Sequence, residues 1–316
     1  LTILGIEFKY TDGGRTSMKI LNFGSLNIDW VYNVDHFVRP GETLSALSVE
    51  RFCGGKGLNQ SVALSKAGAS VFHAGGIGSD GEFLKEKLKE SNVDVSFVKV
   101  FEVPTGNAFI QVDASGQNCI ILFGGANQEI TKEYAQEVIN NFQENDILVL
   151  QNEISSINEI VTMAYEKGLQ IVLNPSPMNG KIAELDLNKI TYFMMNEIEG
   201  EAITGTDEPD KILDIMMEKY PHSKVVLTLG DKGVRYAEGE KRIAWGSYDV
   251  TAVDTTSAGD TFTGYFIAAL AEEMEIKKAL ERASKAAALA VSVKGASNSI
   301  PLPEEVDNCR LILKNN

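Results

Sequence analysis

The sequence predicts an α/β fold, a doubly wound and mostly parallel sheet flanked by helices, with a small β-sheet lid beside it. Three observations lead there. Apolar runs of strand length alternate with segments of helical period through most of the chain. Two β-type segments in the first half are joined only by the turn Ala114-Ser115-Gly116-Gln117, the pattern of an antiparallel pair. A chain of 316 residues that is 44% hydrophobic and 23% charged buries one large core without disulfide staples.

The first strand is expected at 19–24. Ahead of it the chain begins with Leu1 and carries the turn-like Asp12-Gly13-Gly14, so residues 1–17 read as an extension outside the fold, Met18 as a natural start, and 18–316 as one domain. A strand at 71–74 precedes a helix over about 80–90. Another at 146–150 precedes a helix over 156–167, whose opening Ser156-Ile157-Asn158-Glu159 has the form of a capping box. Apolar runs follow at 170–173, 190–194 and 224–229, and two alanine-rich helices at 258–274 and 276–293 close the series. The β-type runs 43–52, 106–112 and 118–123 interrupt this order. They predict a small antiparallel sheet built from segments near 30–52 and 105–124, acting as a lid or a dimer surface; extra edge strands of the main sheet are the alternative.

Composition excludes several classes. Cys53, Cys119 and Cys309 form no CxxC pair, which argues against a zinc module or a disulfide scaffold and points to a reducing, cytoplasmic setting. No run of 18 apolar residues exists to span a bilayer, and Glu7 and Lys9 interrupt the apolar opening, so no membrane partner is expected. With 29 basic against 44 acidic residues the net charge is −15, which repels a nucleic-acid backbone. A small anion can still be held where backbone N–H groups, a helix N-terminus, a lysine or a metal supply local positive potential.

Four constellations offer such chemistry. Cys53-Gly54-Gly55-Lys56-Gly57-Leu58-Asn59 lies between a β-type run and a helix over 58–67; glycines let the backbone approach a ligand, Lys56 offers a point charge, and Asn59 both donates and accepts. Alone it reads as a tight turn with an exposed lysine, and it lacks the Ser/Thr of a Walker A loop. Gly76-Ile77-Gly78-Ser79-Asp80-Gly81 matches GxGxxG, with Glu102 some way beyond, and supports an NAD-binding oxidoreductase as a rival; a glycine-rich turn capped by Asp80 is the simpler reading. The stretch 253–262 ends a β-run and opens a helix, so its N–H groups form an anion hole fit for a phosphoryl group. There Asp260 is either a carboxylate satisfying the dipole or a general base that takes a hydroxyl proton. Finally, Asn27 and Asp29 follow the first strand, and Gln151-Asn152-Glu153 follows another, so these groups are expected to converge with Lys56 beyond the strand ends.

In order and spacing these segments resemble the ribokinase-like (PfkB) family of carbohydrate kinases from about residue 19 to 303. Two signatures carry the likeness: Gly-Gly-Lys-Gly-x-Asn at 54–59 and Asp-Thr-x-x-Ala-Gly-Asp at 254–260. The resemblance implies a lid that closes on sugar, a homodimer formed through that lid, and transfer of the ATP γ-phosphoryl group to a primary hydroxyl. Ribose is the first expected acceptor, with deoxyribose, fructose or a nucleoside as alternatives; a sugar-binding regulator without turnover is a further reading.

Position by position, the resemblance makes Asp260 the base and the N–H groups of Ala258, Gly259 and Asp260 the anion hole. Asn27, Asp29, Gly55, Lys56, Asn59 and Glu153 match sugar contacts. Asn196 and Glu199 match an Asn-x-x-Glu motif near Mg²⁺ and phosphate, and Thr228 with Gly230 a segment beside ATP. Asp254, Thr256, Ala290, Val293, Gly295 and Ser299 match the loops that hold an activating K⁺. By the same resemblance Gly76–Gly81 becomes a structural turn. The chain departs from the family pattern at Ser257, where glycine is usual, at Met195 and at Ser284.

Overall fold

The computed structural model describes residues 18–314, so the expected extension at 1–17 lies outside the described residues. Strand β1 (Ile20–Phe23) is buried along its length. In chain order there follow β2 (Asn27–Asn33), β3 (Ser48–Gly54), α1 (Lys56–Lys66), β4 (Val71–Ile77), α2 (Glu82–Glu90), β5 (Asp94–Val100), β6 (Gly106–Val112) and β7 (Asn118–Phe123). Next come α3 (Lys132–Ile139), β8 (Ile147–Gln151), α4 (Ile157–Glu166), β9 (Gln170–Asn174), β10 (Tyr192–Asn196), α5 (Glu197–Thr204) and α6 (Pro209–Lys219). The chain closes with β11 (Lys224–Thr228), β12 (Val234–Glu238), β13 (Lys241–Trp245), α7 (Ala258–Ala271), α8 (Ile276–Val291) and α9 (Pro303–Asn308).

Nine strands form the main sheet in the order β13-β12-β11-β10-β9-β8-β1-β4-β5. All neighbours are parallel except β11–β12 and β12–β13. Both faces are covered, as the long apolar strands require. Ile20, Ile147 and Val149 join residues of α1, α7 and α8 in one core, whereas Leu21, Phe23, Leu148 and Leu150 join residues of α3, α4 and α6 in the other. The alternation places the polar Asn22 and Gln151 on the α1 side, both fully buried. Helices α1 and α7 meet at small residues: a Cβ added to Gly264 would fall 2.3 Å from that of Ala63. Among the described residues no helix is long and apolar enough to cross a membrane.

The expected small sheet is a separate four-stranded one, β3-β2-β6-β7, not an extension of the main one. It is mixed where an antiparallel sheet was expected, because β2 pairs parallel to β6. Asn27 and Asp29, expected to follow the first strand at its end, lie at the start of β2, where Ile28, Trp30 and Tyr32 alternate with them. Strand β5 and the β12–β13 hairpin were also unanticipated. The capping box at Ser156 does not form: this residue has φ 57°, its side chain makes no cap bond, and its Oγ donates to Ile130 O. Asp80 likewise does not cap α2, since its carboxylate accepts from Thr105 N and Thr105 Oγ1. Tertiary partners outcompete the local bond in both cases.

Candidate active site

The site lies where β2, β3 and the N-termini of α1 and α7 converge. At Gly55 the chain adopts φ 92°, which L side chains avoid, and an added Cβ would meet Ser25 O at 2.9 Å. Beside it, a Cβ on Gly54 would fall 2.0 Å from the Asp29 carboxylate, so only glycine lets that carboxylate lie against the loop. The turn is tied to the strand ends through Glu153, whose Oε2 accepts from Lys56 N at 3.0 Å and from Ser25 Oγ. Asn27 is held from behind, because Asn127 Nδ2 donates to its Oδ1 at 2.7 Å while Asn127 Oδ1 accepts from Leu26 N at 3.0 Å.

Asp260 is only 5% exposed, in the first turn of α7. Its Oδ2 accepts from Asn59 Nδ2 at 3.2 Å and its Oδ1 from Gln60 Nε2 at 2.9 Å. The side-chain oxygen of Asn59, Oδ1, is buried without a partner among the described residues, as a side chain waiting for a ligand hydroxyl would be. Burial pushes the Asp260 carboxyl above its usual range, against the opposing Lys56 charge. Glu153 is raised for the same first reason, also opposed by Lys56. For Lys56 burial acts downward, but Asp260, Glu153 and Glu199 outweigh it and hold the ammonium above the ordinary lysine value. Asp29 is pushed up to about 7, by burial and then by the negative charge of Glu153.

A polar chamber of about 180 Å³ opens among Lys56, Asn196, Glu199, Thr256, Gly259 and Asp260. It shares Thr228 and Gly259 with a more apolar cleft of about 320 Å³ that includes Val250, Phe262, Ser284 and Ala287. A Cβ on Gly259 or on Gly230 would meet nothing within 4 Å, so both border open space. Of the three expected anion-hole donors, the Ala258 N–H turns back to Thr255 O at 3.3 Å. Gly259 and Asp260 are the first-turn N–H groups that helix geometry leaves without an intrahelical acceptor.

Asn196 and Glu199 form the capping box of α5: Asn196 Oδ1 accepts from Glu199 N at 2.9 Å, and Glu199 Oε2 from Asn196 N at 2.9 Å. Glu199 is buried, not an exposed helix start. The loops around 254 and 290–299 also meet. Asp254 Oδ1 accepts from Thr256 N and its Oδ2 from Gly295 N, both at 3.0 Å, while Ser257 Oγ lies 2.9 Å from Ser299 Oγ. Burial acts to raise the Asp254 carboxyl, but these hydrogen bonds win and hold it below the usual range. Val291 O accepts from Val253 N and Asp254 N, and Ala290 O from Val293 N, completing the corner.

Two expectations change. Of Gln151-Asn152-Glu153 only Glu153 reaches Lys56: Gln151 turns to Gln60, and Asn152 donates to Pro177 O and Asn179 Oδ1. The GxGxxG turn has no room for a dinucleotide phosphate, because a Cβ on Gly78 would meet Val103 O at 2.3 Å and one on Gly76 would meet Ala126 O at 2.6 Å. The chain's own 101–105 and 124–126 segments occupy that space. Gln60 and Asn127 were missed, although the four-residue step from Lys56 to Gln60 sets both on one helix face.

The model of the family described as "pfkB family carbohydrate kinase" matches residues 17–303. The ribokinase of Haemophilus influenzae is 37% identical over 92% of this chain and 97% of its own length. That of Bacillus subtilis is 35% identical over 90% and 96%. A solved structure of Arabidopsis thaliana ribokinase complexed with ribose and ATP superposes with a TM-score of 0.82 at 31% identity, covering 92% of this chain and 98% of that one.

Proposed function

Because this chain belongs to the pfkB family of carbohydrate kinases, we propose that it transfers the ATP γ-phosphoryl group to the primary hydroxyl of D-ribose, giving ribose 5-phosphate. The observation that carries the reading is the buried Asp260 carboxylate beside Lys56 and the open mouth of α7. Its likeness to proteins named ribokinase, over nearly their full length, supports the acceptor. Asn27, Asp29, Gly55, Asn59 and Glu153 take the sugar hydroxyls, so an acceptor lacking one leaves a buried partner unpaired and is rejected. Asp260 accepts the hydroxyl proton. Gly259 and Asp260 N–H groups with Lys56 offset the charge that gathers on the transferring group. The apolar cleft suits the base of ATP, with Thr228 and Gly230 at its mouth. Coupled ADP detection across ribose, deoxyribose, fructose and nucleosides tests this; ribose ranking below another acceptor in kcat/KM would overturn the assignment.

Asn196 and Glu199 offer carboxylate and amide oxygens to the chamber and fit Mg²⁺ held largely through its own waters. Bound there, Mg²⁺ would neutralise phosphate charge. The loops that carry Asp254, Thr256, Ala290, Val293, Gly295 and Ser299 are tied together by Gly295 N donating to Asp254 Oδ2, and we assign the oxygens of these residues to K⁺. The rate should therefore be markedly higher in K⁺ than in Na⁺; equal rates in the two salts contradict the cation site.

The Asp29 carboxyl yields a pH-dependent result. Burial favours its protonated form, so its contribution to stability is full below the ordinary value of 3.8 and is lost as pH rises through about 7. Ribose hydroxyls donating to the ionised carboxylate reverse that loss. The ribose-induced rise in Tm should be larger at about pH 8 than at about pH 6; a smaller rise at the higher pH would show that Asp29 does not meet the sugar as a carboxylate.

The lid's edge strand exposes Ile120, Ile121, Leu122 and Phe123, beside Phe109 on β6. A homodimer formed lid to lid covers this surface. Light scattering should report a dimer that Ile121→Glu converts to monomer; a wild-type monomer refutes it. We place the protein in the cytoplasm, where free Cys53, Cys119 and Cys309 stay reduced.

A further inference from the structure

A chain of buried polar side chains runs from Asp260 into the main sheet. Gln60 Nε2 donates to Asp260 Oδ1 at 2.9 Å, and Gln60 Oε1 accepts from Gln151 Nε2 at 2.7 Å. The same Gln151 nitrogen donates to Asn22 Oδ1 at 2.9 Å. Asn22 Nδ2 donates to Gly57 O at 2.7 Å and to Ser61 Oγ at 2.8 Å, and Ser61 Oγ lies 2.8 Å from His73 Nδ1. Asn22, Gln60, Ser61, His73 and Gln151 are all 0% exposed. Burial pushes the His73 imidazole down to about 3, so this far end is neutral. The charged groups around Asp260 are Lys56 from α1, which opposes its burial, Glu153, which interacts with Asp260 directly as a like charge, and Glu199, which acts on Lys56.

An amide has one donor end and one acceptor end, and the order of the chain fixes which is which. Gln151 Nε2 uses its hydrogens on Asn22 and Gln60, so Gln60 must present its oxygen to Gln151 and its nitrogen to Asp260. A flipped Gln60 would set a carbonyl against the carboxylate and two amino groups against each other. The Oδ2 bond from Asn59 is longer, at 3.2 Å, and Asn59 keeps an unpaired oxygen of its own.

We infer that Gln60 is a positioning residue for Asp260 and that Gln151 acts through it: together they fix Oδ1, so that Oδ2 is the oxygen that takes the acceptor hydroxyl. This rests on the kinase reading above. Neither residue needs to touch sugar or nucleotide for this. Among the described residues Gln151 Oε1 has no hydrogen-bond partner, so Gln151 acts on Gln60 through its nitrogen alone, and loss of either glutamine should release the carboxylate.

Coupled ADP assays with ribose on the wild type, Gln60→Met, Gln151→Met and the double variant test it. Each single change should lower kcat by roughly 10- to 100-fold, the cost of a misplaced reacting group, with KM for ribose and ATP little altered. The acid limb of the kcat profile should move to higher pH, because a bond favouring the ionised carboxylate is gone. The double variant should be no worse than the poorer single one, since both act through one contact. Intact kcat with an unmoved acid limb overturns the inference, and so do losses that simply multiply. If Gln60→Met fails to fold by circular dichroism, Gln151→Met, one residue further from Asp260, reads the same limb. A wild type that releases no ADP with ribose overturns the function itself and this inference with it; wild-type turnover with unaffected variants overturns only the positioning role.

Discussion

Asp260→Asn should lower kcat by about 10²- to 10⁴-fold while the protein stays folded, the loss expected when a general base is removed. Retention of the fold follows from the local bonds. The new amide keeps an oxygen for Gln60 Nε2, and its nitrogen replaces the carboxylate oxygen now bonded to Asn59 Nδ2. Asn59 can answer by turning over, because its Oδ1 has no partner in the present arrangement. Removing a buried charge also relieves the desolvation that raises the Asp260 carboxyl. Circular dichroism and Tm should therefore change little while single-turnover phosphorylation collapses. Turnover within a few-fold of wild type would remove Asp260 from its role and leave it as a carboxylate satisfying the helix dipole.

Lys56→Met should cost kcat roughly 10²- to 10³-fold, comparable with the loss of one preorganised donor to a developing charge. Lys56 faces the chamber that Asp260, Glu199 and Gly259 line, and three carboxylates act to keep it protonated. Without it, Asp260 and Glu153 lose the cation that opposes their burial, so both carboxyls move further up. The acid limb of the rate profile should shift to higher pH along with the fall in kcat. A change in KM alone would mean that Lys56 serves binding and contributes nothing to the transition state.

The candidate site was legible in the sequence where its residues come in local packets. The glycine loop with Lys56 and Asn59, and the helix opening at 257–260, each occupy a few consecutive residues whose types announce a close backbone approach or an anion hole. The strands β6 and β7 were predicted with their observed limits, because their turn and apolar runs are local too. What failed required distant partners. Ser156 has the form of a cap, yet its hydroxyl goes to Ile130; Asp80 looks like a cap, yet it binds Thr105. Gly76–Gly81 fits a dinucleotide fingerprint, yet Val103 and Ala126 carbonyls occupy the space above it.

The sequence by itself determined the mostly parallel α/β class and the two glycine-bearing turns, since periodicity and turn chemistry act over a few residues; it marked Asp260 and Lys56 as candidates, and their roles came only from the family resemblance. Only the tertiary structure decided that Asn27 and Asp29 stand on a strand of the second sheet, that Asn127 and Gln60 hold Asn27 and Asp260, and that Asn152 turns away. The bonds of Asn127 and Gln60 join residues 100 and 200 positions apart, and that of Asn152 joins residues 25 apart. A side chain's choice among distant partners is settled by the packing of sheet on helix, which no short stretch of sequence encodes.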